Sequence, residues 1–137
     1  MPPNLAGVLA ALEAEGSPGE FAAVEGLLGG SFSGLAEIRR TPVAKVSAVD
    51  LTADEVRDWL SELPLGHDAE LHVAWIADRV GARMSFETLT DNVDDLWFPA
   101  MDDIVAVVRS GSQLMILVFD HEELITLSSV NSQEDSG

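Results

Sequence analysis

Two short segments near the end of the chain are apolar at almost every position. They run from Ile104 to Arg109 and from Gln113 to Phe119, with Ser110-Gly111-Ser112 as the turn between them. A strand with one face in water alternates apolar and polar residues, so a strand that is apolar on both faces belongs inside a covered sheet. The pair therefore predicts an antiparallel hairpin in the middle of a sheet.

Further strand patterns occur on both sides of this hairpin. Strands are predicted over residues 43–49, over Leu71 to Ile76, around Met84 and Phe86, and over Leu124 to Ser128. Asp120-His121-Glu122-Glu123 separates the last two strands, and about four residues is a common length for a hairpin loop. The sequence thus supplies enough strands for a meander of hairpins.

Helix signals are concentrated in the first half of the chain. Asn4 can cap a helix that ends at Gly16. Ser17-Pro18-Gly19-Glu20 has the form of a capping box and opens a second helix, which ends at Gly29-Gly30. Thr52-Ala53-Asp54-Glu55 is a second capping box and opens a third helix. The pattern from Thr88 to Pro99 is ambiguous, and a further short helix over Leu89 to Trp97 is an open alternative.

Helices followed by a run of strands predict an α+β fold. We expect a meandering antiparallel sheet of about five to six strands with two or three helices on one face. A single domain is expected over residues 1–130, with a helical hairpin over 1–30 and a sheet with one helix over 35–130. Residues 131–137 are expected to form a disordered tail.

The three tryptophans are expected to have different environments. Trp59 lies on the apolar face of the third helix, and Trp75 lies on an alternating strand, so both are expected in the core. Trp97 lies beside Phe98 in a stretch bounded by Pro99, and of the three tryptophans it is the one most expected at the surface. Packing under the edge of the sheet is nevertheless the commoner position for such a residue.

Charge and composition exclude several classes of function. The chain has 24 acidic and 7 basic side chains, a formal net charge of −17, and no cysteine. Direct binding to nucleic acid is disfavoured because phosphate recognition needs clustered Lys and Arg. Disulfides, thiolate metal sites and thiol catalysis are excluded. The longest apolar run is far short of the roughly 20 residues that span a bilayer, so we expect a cytoplasmic protein without membrane contact.

The sequence contains no pattern that nominates a catalytic residue, a metal ligand or a cofactor. His67, His72 and His121 lack the spacing of a metal site on one helix, and neither a phosphate-binding loop nor a Gly-x-Ser-x-Gly elbow is present. Whether the protein is an enzyme stays open at this point, although the sequence favours a non-enzymatic protein.

One acidic and aromatic group is the candidate binding surface. If Arg109 pairs with Gln113 across the turn, Asp102 lies opposite Asp120 or His121. Both acidic groups then lie at the same end of the sheet, next to the aromatic pair Trp97 and Phe98. The predicted partner-binding residues are Asp94, Asp95, Trp97, Phe98, Asp102, Asp103, Asp120, His121, Glu122 and Glu123.

Three interpretations of this group stay open. Acidic residues commonly flank apolar strands simply to keep them soluble and unaggregated. Carboxylates beside aromatic side chains also suit the docking of a basic protein. A divalent cation site is the third interpretation, although no calcium-binding loop motif is present.

In size, acidity, lack of cysteine and α+β pattern, the chain resembles bacterial toxin-immunity and inhibitor proteins, which often neutralise basic nucleases by presenting carboxylates. The resemblance is one of composition and covers no motif. It implies a non-enzymatic, acidic protein-binding module with a basic protein partner. The alternative is a homo-oligomeric protein that binds a small ligand or a divalent cation between sheet and helices. A small enzyme that uses carboxylates is a third hypothesis.

Overall fold

A computed structural model of the chain describes residues 9–10, 16–30, 32, 35–40, 42–77, 79–97, 103–110, 112–120 and 122–131, except for the side chains of 36, 94, 95, 110 and 131. The helices are α1 (Pro18–Leu27), α2 (Leu35–Ile38), α3 (Ala53–Ser61), α4 (Phe86–Asp91) and α5 (Val93–Leu96). The strands are β1 (Ala44–Ser47), β2 (Glu70–Trp75), β3 (Val80–Ser85), β4 (Ile104–Ser110), β5 (Gln113–Phe119) and β6 (Leu124–Asn131).

The six strands form one antiparallel sheet in the order β1-β6-β5-β4-β2-β3. Strands β4, β5 and β6 are a meander, the β2–β3 hairpin lies beside β4, and β1 lies beside β6. The α+β class and the antiparallel sheet predicted from the sequence are therefore confirmed. Strand β6 also continues past the predicted end at Ser128, because Asn131 pairs with Gln113 at the start of β5.

Strands β4 and β5 lie in the middle of the sheet and are buried on both faces, as their composition predicts. Ile104 and Ala106 face one apolar cluster, whereas Val105 and Val107 face a second cluster on the other side. The side chains of β5 alternate in the same way. The two apolar faces of this hairpin thus require a cover on each side of the sheet.

Helices supply both covers. Helices α3, α4 and α5 pack on the face of Ile104 through residues such as Leu60 and Leu89. Helices α1 and α2 pack on the opposite face, where Phe21 and Val24 are buried. Helices therefore cover both faces of the sheet, whereas the sequence predicted helices on one face. Of the first predicted helix, the structure describes Leu9 and Ala10, and Leu9 is buried.

The start of α3 follows the predicted capping box completely, and the start of α1 follows it in part, because the Ser17 amide donates to the Gly81 carbonyl instead of to Glu20. The Ser17 hydroxyl accepts from the Glu20 amide at 3.1 Å. At α3 the exchange is reciprocal: the Glu55 amide donates to Thr52 Oγ1, and the Thr52 amide donates to the Glu55 carboxylate. Since caps satisfy backbone groups that the helix cannot, they fix where each helix begins.

The pairing across the β4–β5 turn differs from the predicted pairing by one residue. Arg109 pairs with Leu114, and Ser110 pairs with Gln113, because Ser110 belongs to β4. The predicted pair of Arg109 with Gln113 is therefore wrong. Continued by one residue past the pair of Ile104 with Phe119, this register brings Asp103 level with Asp120. In the part of the chain that the structure describes, no helix is long and apolar enough to cross a membrane.

Candidate functional site

The turn between β5 and β6 is organised by Asp120. Its Oδ1 atom accepts from the amides of Glu122 at 2.9 Å and Leu124 at 3.0 Å. Its backbone N–H donates to the Leu124 carbonyl at 3.0 Å. Glu123 has a φ of 63°, in the left-handed region that few residues other than glycine adopt. One buried carboxylate thus holds the turn in shape.

The second oxygen of Asp120 ties this turn to α2. Arg39 Nη2 donates to Asp120 Oδ2 at 2.8 Å, and Arg39 Nε donates to Thr126 Oγ1 at 3.1 Å. Burial raises the pKa of Asp120, but the hydrogen bonds from Arg39 and from the turn amides outweigh burial and leave the pKa below its ordinary value. Both oxygens of this predicted partner-binding residue are therefore engaged within the molecule.

Trp97 is buried, so the structure shows the commoner of the two positions left open for it and not the exposed one. Its relative exposure is 8%, and its ring centroid lies 5.2 Å from that of Phe119 on β5. It directly follows α5, whose apolar side chains pack on the same sheet face, so the chain carries the indole under the helical layer. Its Nε1 atom is buried and has no hydrogen-bond partner among the residues that the structure describes. Trp75, in contrast, is buried as predicted and donates from Nε1 to the Leu96 carbonyl at 3.0 Å.

Trp59 is half-buried rather than fully buried. It lies on α3 and packs against the edge of the core, while its neighbour Leu60 is fully buried. A tryptophan is large enough to contact the core and still leave part of its ring in water.

The other predicted partner-binding residues have varied positions. Glu122 is exposed, and Asp103 and Glu123 are half-buried. Asp94 and Asp95 are on α5, and their side chains lie outside the described part of the structure. Phe98, Asp102 and His121 lie outside the described residues.

Trp97 and Glu123 meet at a pocket of about 190 Å³. Its walls come from the β1–α3 connection, the first turn of α3, helix α5 and the β5–β6 turn. The lining residues are Ala48, Leu51, Ala53, Val56, Val93, Trp97 and Glu123. The Ala48 amide donates to the Glu123 carbonyl at 2.7 Å, which joins the turn to the end of β1.

The lining combines one carboxylate with an apolar surface. Apart from Glu123, the side chains of the described lining residues are aliphatic or aromatic. Such a pocket can hold an apolar group that ends in a positive charge, since the walls exclude water from the apolar part. Sequence reasoning selected Trp97 and Glu123 but missed the aliphatic lining, because those residues carry the same pattern as ordinary core residues.

The helical layer beside the pocket is strongly acidic. Residues 50–62 and 86–96 contain nine carboxylates and one basic residue, Arg57, which forms an ion pair with Asp54. The opposite layer, residues 18–40, contains three carboxylates and two arginines. The exposed carboxylates on and beside α3 and α4 are Asp50, Asp54, Glu55, Asp58, Glu62, Glu87 and Asp91. We call these seven the acidic layer; sequence reasoning did not select them because single acidic residues on helix surfaces carry no distinctive spacing.

Among the described residues, no group of three or more His, Asp or Glu side chains is arranged to hold a metal ion. Comparisons of the chain with protein-family models, with curated proteins and with solved structures found no match. The functional assignment of this site therefore rests on its geometry and charge.

Proposed function

We propose that the protein is a cytoplasmic, non-enzymatic binding module that engages a basic protein partner through the acidic layer and the adjoining β5–β6 turn. The observation that carries this proposal is the uneven distribution of charge between the two helical layers of the sheet. Solubility alone requires no such difference, since carboxylates on either face would serve it equally. A one-sided acidic surface is what electrostatic steering of a basic partner needs.

The proposed interface retains part of the surface selected from the sequence. Glu122 is exposed at the turn, and Asp94 and Asp95 lie on α5, which packs beside α3. Asp120 and Trp97 act differently, because both are buried and shape the turn and the pocket from within. An inhibitor or immunity role, as the composition suggests, would use this surface to cover a basic active site.

A pair of matched double variants tests the proposal. Asp58→Asn with Glu62→Gln neutralises two exposed carboxylates of the acidic layer, whereas Glu25→Gln with Glu37→Gln removes the same charge from the opposite layer. Each protein is immobilised and exposed to an extract of the native host, and captured proteins are identified by mass spectrometry at low and physiological salt.

We expect a basic protein whose capture falls with salt, and falls more in the Asp58/Glu62 variant than in the Glu25/Glu37 variant. Thermal denaturation checks that both variants remain folded. Equal losses in the two variants would contradict the proposal, since net charge rather than one face would then govern capture. Capture that is insensitive to salt would contradict it as well.

The second candidate function is that of a homo-oligomeric protein that binds a small ligand between sheet and helices, and the pocket supports its ligand-binding part. The pocket volume of about 190 Å³ is suited to a small molecule. A saturable rise in melting temperature with a metabolite, without any protein partner, would favour this candidate.

A further inference from the structure

We propose that the pocket lined by Trp97 and Glu123 is a socket for one cationic side chain, a lysine or an arginine, from a basic segment of the partner protein. This inference deepens the proposed function and rests on it. It assigns the partner's anchoring chemistry and the residue that receives its charge.

The apolar walls fit the stem of such a side chain. Leu51, Val56 and Val93 present aliphatic surface, and the Trp97 ring adds an aromatic wall. Lysine and arginine carry three or more methylene carbons that gain from leaving water while the charged end stays polar. An aromatic wall also favours a cation through its quadrupole.

Glu123 is placed to receive the positive end. Its backbone is fixed on both sides, because its N–H donates to the Asp120 carbonyl at 3.0 Å and its carbonyl accepts from Ala48 at 2.7 Å. Glu123 lines the pocket and is half-buried, so its interaction with a cation is screened less than that of a carboxylate on a fully exposed residue.

The surrounding charge excludes anionic ligands and favours a protein segment over a metal ion. Asp50, Asp54 and Glu122 are exposed and directly adjoin lining residues in the chain. Among the described lining residues the one carboxylate, that of Glu123, supplies too few oxygens for calcium, which takes six to eight. A lysine or arginine needs only one such acceptor, and the flanking carboxylates attract the other basic residues of its segment.

The test uses the indole N–H signal of Trp97 in two-dimensional NMR spectra of the full chain, assigned with Trp97→Phe. The probe is a blocked pentapeptide with one central lysine between glycines, and the matched probe has norleucine at that position. An arginine pentapeptide is the third probe. We expect saturable shifts of the Trp97 signal with lysine or arginine and much weaker shifts with norleucine.

Two substitutions assign the charge to one residue. Glu123→Gln should weaken lysine binding about fivefold, the effect of losing a partly buried ion pair, whereas Glu122→Gln should change it less than about twofold. Ala53→Leu should fill the pocket and abolish the shifts while the rest of the spectrum is retained.

Equal shifts with lysine and norleucine, or equal effects of the two glutamine variants, would overturn the socket. The proposed function would survive that result if the acidic-layer variants still lost the basic partner. Conversely, binding of the lysine peptide with no loss of partner in those variants would retain the socket chemistry and remove the acidic layer from the function.

Discussion

Replacement of Asp120 tests the link between the site and the fold most directly. The side chain of Asp120 is 9% exposed and that of Arg39 is 22% exposed, and the two are joined at 2.8 Å. Asp120→Asn keeps an acceptor for the turn amides but removes the charge opposite Arg39. Hydrogen bonds to charged groups contribute about 1.5–3 kcal/mol, so we expect the free energy of unfolding to fall by that amount.

Asp120→Ala should cost more. It also removes the acceptor of the Glu122 and Leu124 amides, and breaking a buried pair by deleting one partner costs about 3–5 kcal/mol. Because Arg39 keeps some contact with solvent, the lower part of that range is expected. Glu122→Gln, at an exposed position of the same turn, is the control and should change stability by less than about 0.5 kcal/mol.

The effect should depend on pH in a defined direction. The pKa of Asp120 is below its ordinary value in the folded state, so the ionised carboxylate stabilises the fold fully above the unfolded-state pKa of about 4. The difference between the wild-type protein and Asp120→Asn should therefore be constant near neutral pH and shrink as pH falls through the depressed pKa. Comparison with the variant cancels the titration of the other carboxylates.

Urea denaturation followed by circular dichroism, from pH 7 downwards, measures this difference. A loss below about 0.5 kcal/mol for Asp120→Asn at pH 7 would refute the structural role of the Arg39 pair. If the difference in free energy of unfolding between the wild-type protein and Asp120→Asn increased as pH falls, the lowered pKa of Asp120 would be refuted.

Two further predictions concern packing. Gly81→Ala should destabilise the protein by about 1–3 kcal/mol, because a Cβ there would lie 2.5 Å from the Glu20 carbonyl carbon. Gly26→Ala is the control: it has open space around it, so it should be neutral or stabilising by up to about 1 kcal/mol. Equal effects of the two substitutions in thermal denaturation would contradict the close approach of α1 to β3. Trp75→Ala should lower the free energy of unfolding by about 3–5 kcal/mol, and Trp59→Ala should lower it clearly less, because Trp75 is fully buried and Trp59 only half-buried. Similar losses of stability in urea denaturation would show that this difference in burial is incorrect.

The sequence by itself determined the local elements. The capping box at Thr52 and Glu55 specifies the start of α3 through contacts between residues three apart. The continuous apolar composition of β4 and β5 specifies a central, doubly covered hairpin, because no other position would remove both faces from water. These features depend on neighbours along the chain or on burial in general, so they can be predicted without knowing which residues meet.

Only the tertiary structure decided what the candidate site contains. Whether Ser110 belongs to the turn or to β4 changes the register by one residue, and local sequence did not distinguish the two. The burial of Trp97 depends on how its ring, just after α5, packs against Phe119 of β5. The pocket brings Ala48, Val93 and Glu123 together from segments far apart in the chain. Their proximity follows from the packing of helices on the sheet and from the order of its strands, and no short-range pattern encodes either.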